Sequence, residues 1–522
     1  MGWRKSEILC RLCIQCNQKF VKEDREVVMQ SAYDVIVVGG GNAGFCAALA
    51  ARESGASVLV LERAPFGEHG GNSTYTAGAM RFAYEGIDDI LALVPELSQE
   101  QIDNTDFGKY TEKDFFDDLA RVTDNRTDPD LADTLVSKSF ETLKWMRENG
   151  VRFLPIYGRQ AFKVEGKFTF WGGLTLETWG GGPGLVEALT KQVLAKGIDI
   201  AYRARGIELI MDESQVSGVV VKHEGKTVNV KAKAVVLAAG GFEANSEWRS
   251  KYLGKGYELA KVRGSKFNTG DGIKMALDVG AMPWGNWSGA HAVGWDMNAP
   301  AFGNLQVGDG FQKHSYPFGI MVNANGERFV DEGADFRNYT YAKYGHVIMD
   351  QPNHFAWQIF DQKVTHLLRD EYRIKEVTKV TGKTIEELSK KLDGVNAEAF
   401  VETVKTYNAS INKDIPFNPN IKDGRKADHS PVPKSNWANT LDEGPFEAYA
   451  VTCGITFTFG GLRITTDAQV IDSEEEIMPG LFACGELVGG IFYGNYPGGS
   501  GLTNGSVYGR IAGTQAGKFV KK

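Results

Sequence analysis

The feature that most constrains this chain is a strand–turn–helix–strand unit at residues 33–62, YDVIVVGGGNAGFCAALAARESGASVLVLE. A short apolar run leads directly into Gly39, Gly41 and Gly44, helix-forming residues follow, and a second apolar run ends at Glu62. Two buried strands, a glycine turn and a helix, with an acid about twenty residues past the glycines, form the dinucleotide-binding fingerprint. We therefore predict that a dinucleotide binds where this helix begins.

Each glycine of the turn has a separate physical role. Gly39 would make the tight turn, Gly41 would let the backbone approach a pyrophosphate, and Gly44 would let the helix pack closely on the strand. The helix N-terminus would offer free N–H groups to the phosphates, and Glu62 would accept hydrogen bonds from ribose hydroxyls. The alternative is an ordinary turn of a parallel sheet.

Length and composition narrow the class of protein. A chain of 522 residues is too long for one core, so two or more domains are expected. The net charge of −8 argues against a nucleic-acid partner but leaves room for a basic pocket for an anionic substrate. Apolar runs are too short for a membrane span, residues 1–30 lack the core of a signal peptide, and six cysteines do not suggest a disulfide framework. We therefore expect a cytoplasmic protein with no direct membrane span.

Residues 1–30 resemble nothing downstream and are interpreted as an N-terminal extension. We expect this extension to be disordered and the natural protein to begin at Met29. Cys10, Cys13 and Cys16 form a CxxCxxC pattern whose thiolates could bind zinc or an iron–sulfur cluster. A fourth ligand at suitable spacing is missing from the sequence, so no metal site is predicted.

The composition of the sequence changes twice. Glycine-rich β segments extend to about residue 284, aromatic and polar helical segments follow, and glycine-rich β segments begin again near residue 449. We predict an α/β fold with a nucleotide-binding domain at residues 31–284 and 449–522. An inserted domain at residues 285–448 would interrupt it.

Six segments, taken in order, match one family pattern. They are the fingerprint with its acid, GGNSTYTAG at 70–78, AAGG at 238–241, TGDG at 269–272, GERFVDE at 326–332, and GLFACGE at 480–486 followed by PGGSGL at 497–502. The chain thereby resembles the fumarate reductase/succinate dehydrogenase flavoprotein superfamily over residues 33–513. The resemblance implies an FAD-binding domain of the glutathione-reductase type, a capping domain over the flavin, and redox chemistry at a carbon–carbon bond next to a carbonyl or carboxylate.

Within that superfamily, residues 326–345, 455–462 and 493–502 most resemble the FAD-dependent tricarballylate dehydrogenases. This finer resemblance implies dehydrogenation of tricarballylate, a small carboxylic acid, to cis-aconitate. The CxxCH haem motif of the periplasmic reductases is missing from the sequence, so electrons would pass to a separate partner, either an iron–sulfur/haem protein or the quinone pool. Reduction of fumarate or urocanate remains open, as does a flavin-binding scaffold without catalysis.

The resemblance also assigns residues to the cofactor. The predicted FAD ligands are Gly39, Gly41, Asn42, Ala43, Gly44, Glu62, Arg63, Gly71, Asn72, Ser73, Ala239, Gly240, Asp271, Gly485, Glu486, Ser500, Gly501 and Leu502. Asn72 and Ser73 would bond the flavin edge, Glu486 would accept from ribityl hydroxyls, and the last helix would stabilise negative charge on the ring. Covalent members of the superfamily carry the flavin on a histidine, and because Asn72 stands at that position, non-covalent FAD is implied.

Arg337 is the first catalytic candidate, because fumarate reductases place a proton-donating arginine shortly after the segment that corresponds to residues 328–332. Arginine is almost always protonated, so proton transfer would need neighbouring groups, although the guanidinium can also bind a carboxylate bidentately. The neighbours that could relay the proton are Glu332, Asp335, Tyr339 and Tyr341. The alternative is a structural arginine paired with one of these acids.

The substrate pocket is predicted to include His291, Tyr339 and Tyr496, with His314 as a further candidate. The histidines would otherwise be packed core residues. Several groups of the fumarate reductases are replaced: Thr456 and Phe457 stand in place of a histidine pair, Tyr496 in place of a carboxylate-binding arginine, and the relay arginine has no counterpart near residues 312–316. A dicarboxylate would therefore be held differently.

Aromatic residues leave one more alternative. Trp171, Trp179, Trp284, Trp287 and Trp295 could surround a flat apolar substrate, as in the related 3-ketosteroid dehydrogenases, where tyrosines move the protons. Most tryptophans, however, belong to protein cores.

Overall fold

The structure is a computed structural model that describes residues 29–521. The cysteine pattern at Cys10, Cys13 and Cys16 lies outside the described residues. The strands of this range are β1 (Ala32–Val38), β2 (Val58–Leu61), β3 (Ala79–Met80), β4 (Thr105–Asp106), β5 (Phe153–Pro155), β6 (Ala161–Val164), β7 (Lys167–Phe170), β8 (Leu176–Thr178), β9 (Asp199–Ala201), β10 (Ala204–Asp212), β11 (Gln215–His223), β12 (Lys226–Leu237), β13 (Lys261–Val262), β14 (Pro283–Asp296), β15 (Ile320–Val322), β16 (Ala356–Phe360), β17 (Lys379–Gly382), β18 (Phe446–Leu462), β19 (Gln469–Ile471) and β20 (Ile477–Ala483).

Helices connect and cover these strands. The α-helices are α1 (Asn42–Glu53), α2 (Ile87–Leu93), α3 (Gln99–Asp103), α4 (Glu112–Val122), α5 (Pro129–Glu148), α6 (Tyr157–Gln160), α7 (Gly181–Ala195), α8 (Ser246–Trp248), α9 (Asp271–Leu277), α10 (Tyr341–Met349), α11 (Ile385–Ser389), α12 (Ala397–Ala409) and α13 (Ser500–Phe519). Three short 3-10 turns, Gly71–Tyr75, Arg337–Tyr339 and Gly485–Leu487, carry residues of the site described below. Between residues 29 and 521, no helix has both the length and the apolar character needed to cross a bilayer.

The first sheet has eight strands and carries the predicted fingerprint. Its path is β10-β11-β12-β1-β2-β9, with β20 beside β12 and β19 beside β20. β1 lies parallel to both β12 and β2, and its residues Val35, Ile36 and Val37 have no exposed surface. A strand covered on both faces reads as a continuous apolar run, which is why β1 could be recognised from sequence. The predicted α/β FAD-binding fold is confirmed.

A second sheet of six strands is organised around the long strand β18. β14 runs antiparallel to β18 from Pro283–Leu462 to Asp296–Val451, while β13, β16 and β17 also pair with β18 and β15 pairs with β16. The expected domain limits near residues 284 and 449 fall inside these two paired strands, and the division into two domains stays a prediction.

Asn325 and Gly326 form the turn that follows β15. β15 takes β16 as its partner, and after the turn the chain returns to β15 only in a single bridge between Val322 and Arg328.

Helices α1 and α13 pack closely because small residues face each other. Glycines occur every fourth residue along α13, at Gly505, Gly509, Gly513 and Gly517. A Cβ added at Gly513 would lie 2.0 Å from the carbonyl oxygen of Ala47. The Asn42 amide then joins the two helices by donating to the Leu502 carbonyl at 2.9 Å and to the Ser506 hydroxyl at 3.0 Å. The glycine loop before α1 and the first turn of α13 are thereby held side by side.

This packing makes Gly513 intolerant of a side chain. Gly513→Ala should lower the free energy of unfolding by about 1–3 kcal/mol, because the new methyl group meets backbone that cannot yield. Thermal unfolding of the purified protein measures the effect. Gly67→Ala is the control, since a Cβ at the exposed Gly67 meets nothing within 4 Å. Equal unfolding midpoints for the two variants would contradict the prediction.

Candidate active site

The glycine loop opens into a long cavity at the carboxyl end of β1. A Cβ on Gly39, where φ is +114°, would lie 2.3 Å from the Ala238 carbonyl oxygen, and one on Gly44 would lie 1.9 Å from the Gly39 carbonyl oxygen. A Cβ on Gly41 would lie no closer than 3.4 Å to any other part of the chain. The first and third glycines therefore permit tight packing, whereas the second leaves space open for a ligand.

Most of the predicted cofactor residues line this cavity. They are Gly39, Gly41, Asn42, Ala43, Glu62, Arg63, Gly71, Asn72, Ser73, Ala239, Gly240, Asp271, Gly485, Glu486, Gly501 and Leu502. Two do not: Gly44 is packed beneath the loop, and the buried Ser500 hydroxyl donates to the Pro497 carbonyl at 2.6 Å. The segments quoted from the sequence thus converge on one cavity although they lie far apart in the chain.

Glu62 and Arg63 form the polar end of the cavity nearest the glycine loop. The Glu62 carboxylate accepts from the Gly40 N–H at 3.1 Å and from the Ala64 N–H at 2.7 Å, and burial raises the pKa of Glu62. Arg63 and Arg205 each contact the carboxylate of Asp271 at 2.8 Å. Glu62 is therefore fixed by backbone N–H groups at the predicted ribose position.

Asn72 is fixed by the protein on all sides. Its amide nitrogen donates to Glu243 at 2.7 Å and to the Thr456 carbonyl at 2.5 Å, while its oxygen accepts from the Ser265 N–H at 2.8 Å. The neighbouring Ser73 hydroxyl accepts from the Asn42 N–H at 3.1 Å. These bonds hold the 3-10 turn against α1 and β18, so Asn72 shapes the cavity wall.

Two carboxyl groups lie near Asn72, and one of them, Glu486, lines the cavity. Glu486 accepts from the Thr458 N–H at 2.8 Å, and Glu243 is fully buried beside it. Burial raises the pKa of Glu486 well above its usual range, and the adjoining Glu243 raises it further; burial also raises the pKa of Glu243. Like charges this close cannot both ionise readily, so the pair gives up its last proton at a higher pH than an isolated glutamate does. Glu243 has no motif of its own and was missed from the sequence.

The other end of the cavity collects side chains suited to bind an anion. Arg337, His291, His314, Arg263, Tyr341 and Tyr496 line it. Several buried polar atoms on the cavity wall have no hydrogen-bond partner within residues 29–521: both ring nitrogens of His291 and His314, both amide atoms of Asn338, and Oδ1 of Asn504. Buried polar groups are seldom left unsatisfied, so a cluster of them around one cavity indicates a bound ligand.

Arg337 is buried in this end of the cavity. Burial, helped by the charge of Arg369 and opposed by Glu371, lowers the pKa of Arg337 to about 9. Most of the predicted relay residues have other partners. Glu332 accepts from Arg328 at 2.6 Å, Asp335 pairs with Arg121 at 3.1 Å, and the Tyr339 hydroxyl donates to Asp118 at 2.8 Å. Tyr339 therefore lies outside the cavity. Of the two tyrosines predicted to relay the proton, Tyr341 is the one that lines it.

The two histidines are neutral. Burial holds the pKa of His291 well below its usual range, with a further contribution from Arg263, and burial does the same for His314, with a contribution from Arg337. The His291 ring lies 4.7 Å from that of Tyr496 and 5.0 Å from that of Tyr341. Since the hydroxyls of these tyrosines lie 2.7 Å apart and share a hydrogen bond, His291 packs against a tyrosine pair.

An ion pair completes this end of the cavity. Arg263 donates to Asp309 at 2.7 Å and to the Thr456 hydroxyl at 3.1 Å, and Gln312 donates to Asp309 at 2.7 Å. Arg263 and Asp309 lie outside every recognised motif, so sequence reasoning missed both.

The predicted tryptophans do not form the pocket. Trp179 is 58% exposed, Trp295 is buried in the core, Trp284 lies under Arg463, and Trp287 packs on Phe242. None of these four side chains lines the cavity. Its aromatic surface comes instead from Phe457, Phe459, Phe492, Tyr341 and Tyr496.

A dinucleotide loop that opens into a cavity closed by an arginine and two histidines defines an FAD-dependent flavoprotein oxidoreductase. The family model described as "FAD binding domain" matches residues 34–502. The chain belongs to this family, in the branch that contains the fumarate reductase and succinate dehydrogenase flavoproteins. The predicted FAD cofactor is confirmed, whereas its non-covalent attachment stays a prediction.

Known proteins similar to this chain agree with that assignment. A fumarate reductase (cytochrome) of Shewanella frigidimarina is 30% identical over 514 residues, which cover 96% of this chain and 80% of that protein. A urocanate reductase of Eggerthella lenta is 28% identical over 502 residues, covering 92% and 74%. The open conformation of a flavocytochrome c3 fumarate reductase superposes with a TM-score of 0.70 at 26% identity, covering 97% of this chain and 81% of that chain.

The Glu243–Glu486 pair should make stability depend on pH. A carboxyl group whose pKa is raised by folding stabilises the protein below its unfolded pKa of about 4.3, and that stability is lost as the pH rises through the folded value. Glu243→Gln removes one of the two titrating groups and keeps an amide in its place. The unfolding temperature of this variant should therefore fall less than that of the wild type between about pH 5.5 and 8.5. This range lies above the unfolded glutamate pKa of about 4.3, where the stabilisation is being lost.

The exposed Glu398 provides the matched control, since Glu398→Gln makes the same chemical change on the surface of α12. Thermal unfolding of the FAD-loaded proteins at a series of pH values gives the comparison. A pH dependence of Glu243→Gln equal to that of the wild type would show that the pair holds no proton of its own.

Proposed function

We propose that this enzyme oxidises or reduces the α,β carbon–carbon bond of a carboxylic acid. One observation carries the proposal: the buried Arg337 guanidinium lies with two neutral histidines in the cavity that the glycine loop enters, and within residues 29–521 the ring nitrogens of both histidines have no hydrogen-bond partner. Fumarate and urocanate, the compounds in the names of two similar proteins, are both α,β-unsaturated acids. The side chains present thus match the common part of those molecules.

Arg337 has two tasks in this proposal. Its guanidinium binds the substrate carboxylate, for which its planar donor geometry is suited, and so orients the α,β bond. It also exchanges a proton with the substrate carbon, because a pKa lowered to about 9 makes the neutral form far more accessible than in water. Bound FAD supplies the acceptor or donor of the accompanying hydride.

The groups around Arg337 orient the substrate and keep water away. Neutral His291 and His314 each offer one N–H donor and one acceptor, which can hold the carboxylate or a carbonyl oxygen without adding charge. The buried Tyr341–Tyr496 pair closes the cavity next to His291. A closed, mostly apolar site strengthens each of these polar interactions.

Three finer statements, on the substrate, the electron partner and the location, stay predictions. Tricarballylate is the substrate predicted from the sequence, and the direction of the reaction is open. Electrons would be exchanged with a separate iron–sulfur/haem protein or with the quinone pool. The cytoplasmic location likewise rests on the sequence alone.

A 3-ketosteroid dehydrogenase-like reaction is the second candidate. One observation favours it: the hydrogen-bonded hydroxyls of Tyr341 and Tyr496 lie beside aromatic side chains in the cavity, an arrangement able to exchange a proton next to a ketone. Arg337 has no task in this reaction, so substrate tests separate the two candidates.

The substrate test uses the yellow, FAD-loaded protein without oxygen. Oxidised enzyme is mixed in turn with tricarballylate, other saturated acids and one 3-ketosteroid, and bleaching of the flavin absorbance reports dehydrogenation. Enzyme reduced by a dye is mixed with fumarate, urocanate and related acids, and reoxidation reports reduction. Carboxylic acids should react in at least one direction, and a response to the ketosteroid alone would overturn the proposal.

Replacing Arg337 should abolish turnover without removing the cofactor. Arg337→Gln should lower kcat/KM by about 10²–10⁴-fold, because both the carboxylate anchor and the acid–base group are lost. The bound flavin spectrum should be unchanged. Arg121→Gln is the matched control, since half-exposed Arg121 pairs with Asp118 and Asp335 outside the cavity. Full activity of Arg337→Gln would remove Arg337 from the reaction.

The pH profile tests the protonation state of Arg337. Activity should fall as the pH rises through about 9, because a deprotonated guanidine can neither hold the carboxylate nor donate a proton. In Arg337→Lys the alkaline limb should move to lower pH, since lysine starts from a lower pKa and suffers the same burial. Steady-state rates measured between about pH 6 and 10.5 cover both alkaline limbs, since this range extends to either side of the Arg337 pKa of about 9. Identical limbs would assign the titration to another group.

A further inference from the structure

We infer that the site accepts a substrate with a single carboxylate and an uncharged, apolar remainder, and that Asp309 excludes a second carboxylate. The inference rests on the proposed function and narrows its substrate class to α,β-unsaturated or saturated monocarboxylic acids with an alkyl or aryl substituent. It therefore argues against tricarballylate, which carries three carboxylates.

The charges at this end of the cavity are the first argument. Arg263 and Arg337 contribute the positive groups that line it, and Asp309 contributes a negative one. Asp309 lies 2.7 Å from the Arg263 guanidinium, and both side chains are less than a tenth exposed. The formal charge of Arg263 is therefore cancelled within the protein, and the three side chains together match one carboxylate.

Nearby groups do not restore a second positive charge. His291 and His314 are neutral because burial and neighbouring arginines hold their pKa values well below the usual range. Behind Arg337, the guanidinium of Arg369 lies 2.8 Å from the carboxylate of Glu371, which also faces Arg337, so these three side chains together carry one positive charge. Among the described residues of this end of the cavity, a second substrate carboxylate would meet only neutral donors or the Arg263–Asp309 pair.

The surface around His291 is apolar. The Phe457 ring lies 5.5 Å from that of His291, 5.2 Å from that of Tyr496 and 5.8 Å from that of Phe492. Phe459 extends the same surface, with its ring 5.2 Å from that of Phe457. Arg263 lines the same cavity as these rings. The part of the substrate beyond the carboxylate would thus lie against aromatic carbon.

Because the cavity is buried, these charges strongly affect the binding free energy of a second carboxylate. A carboxylate moved into a water-poor cavity loses its hydration, and that loss is recovered only when a cation and hydrogen-bond donors replace the water. Next to Asp309 a second carboxylate would instead be repelled, and repulsion is strong where the effective dielectric constant is low. An ester or an aromatic ring at the same position would lose nothing comparable.

Binding of matched ligands to the oxidised, FAD-loaded enzyme tests the inference. Without a reductant, unsaturated acids are not turned over, so the flavin difference spectrum gives equilibrium Kd values. Fumarate and monomethyl fumarate form a pair with the same four-carbon skeleton that differs by one charge and an ester methyl group, and trans-cinnamate with 4-carboxycinnamate forms the aryl pair. In each pair the monocarboxylate should bind about ten-fold more tightly or better, equivalent to about 1.4 kcal/mol. Tighter binding of the dicarboxylate in both pairs would overturn the inference.

Asp309→Asn tests the residue itself. Removing the negative charge while keeping the shape should shift the ratio of the two Kd values in each pair toward the dicarboxylate by about ten-fold. The double variant Arg263→Gln/Asp309→Asn removes both charges of the pair, so the preference for the monocarboxylate should return. An unchanged ratio of the two Kd values in Asp309→Asn would show that Asp309 does not discriminate between mono- and dicarboxylates. If that variant does not fold, the wild-type ratios and the double variant still decide.

The same experiments separate this inference from the proposed function. Should fumarate bind more tightly than its monoester and be reduced, the function stands and the single-carboxylate inference fails. When no acid of the panel perturbs the flavin or reacts with it, the proposed function fails first.

Discussion

The structure depends on the close contact between α1 and α13. Without side chains at Gly509 and Gly513, the backbone of the last helix reaches the backbone of the first, and Asn42 bonds across the contact to Leu502 and Ser506. The glycine loop and the start of α13 thereby form one wall of the cavity, although 460 positions separate Asn42 from Leu502. Every residue assigned to the flavin is placed relative to this contact.

Several charged side chains along the cavity are paired, and the pairs divide the cavity into regions. Asp271 holds Arg63 and Arg205 near the glycine loop, Glu243 and Glu486 raise each other's pKa values near Asn72, and Asp309 holds Arg263 near the histidines. Unpaired buried charge is costly, so these pairings fix both geometry and ionisation state. Electrostatic preorganisation of this kind lets neutral histidines and a cationic arginine coexist in one small space.

Sequence reasoning succeeded where a local pattern has one physical reading. The apolar runs of β1 and β2, the glycine turn and Glu62 specify a parallel strand–helix–strand unit, because each requirement lies within about thirty residues. His291, Tyr496 and Arg337 were found through their place in longer segments and do line the cavity. Tyr339 was chosen for its nearness to Arg337 in sequence, but the 3-10 turn at Arg337–Tyr339 directs its hydroxyl to Asp118 instead. Arg263, Asp309 and Glu243 belong to no pattern, and their chemistry exists only through partners brought by folding.

The sequence by itself determined the cofactor-binding unit and the class of fold, since short-range sterics and burial dictate both, and its resemblance to the fumarate reductases indicated the arginine around which the reaction is proposed. Only the tertiary structure decided how the cavity is charged. Arg263 meets Asp309 from 46 residues away, and Asn72 meets Thr456 from 384 residues away. Whether an arginine can bind a substrate depends on which acidic side chain lies next to it in the folded protein. Such pairs are far apart in the chain, so the sequence alone does not predict them.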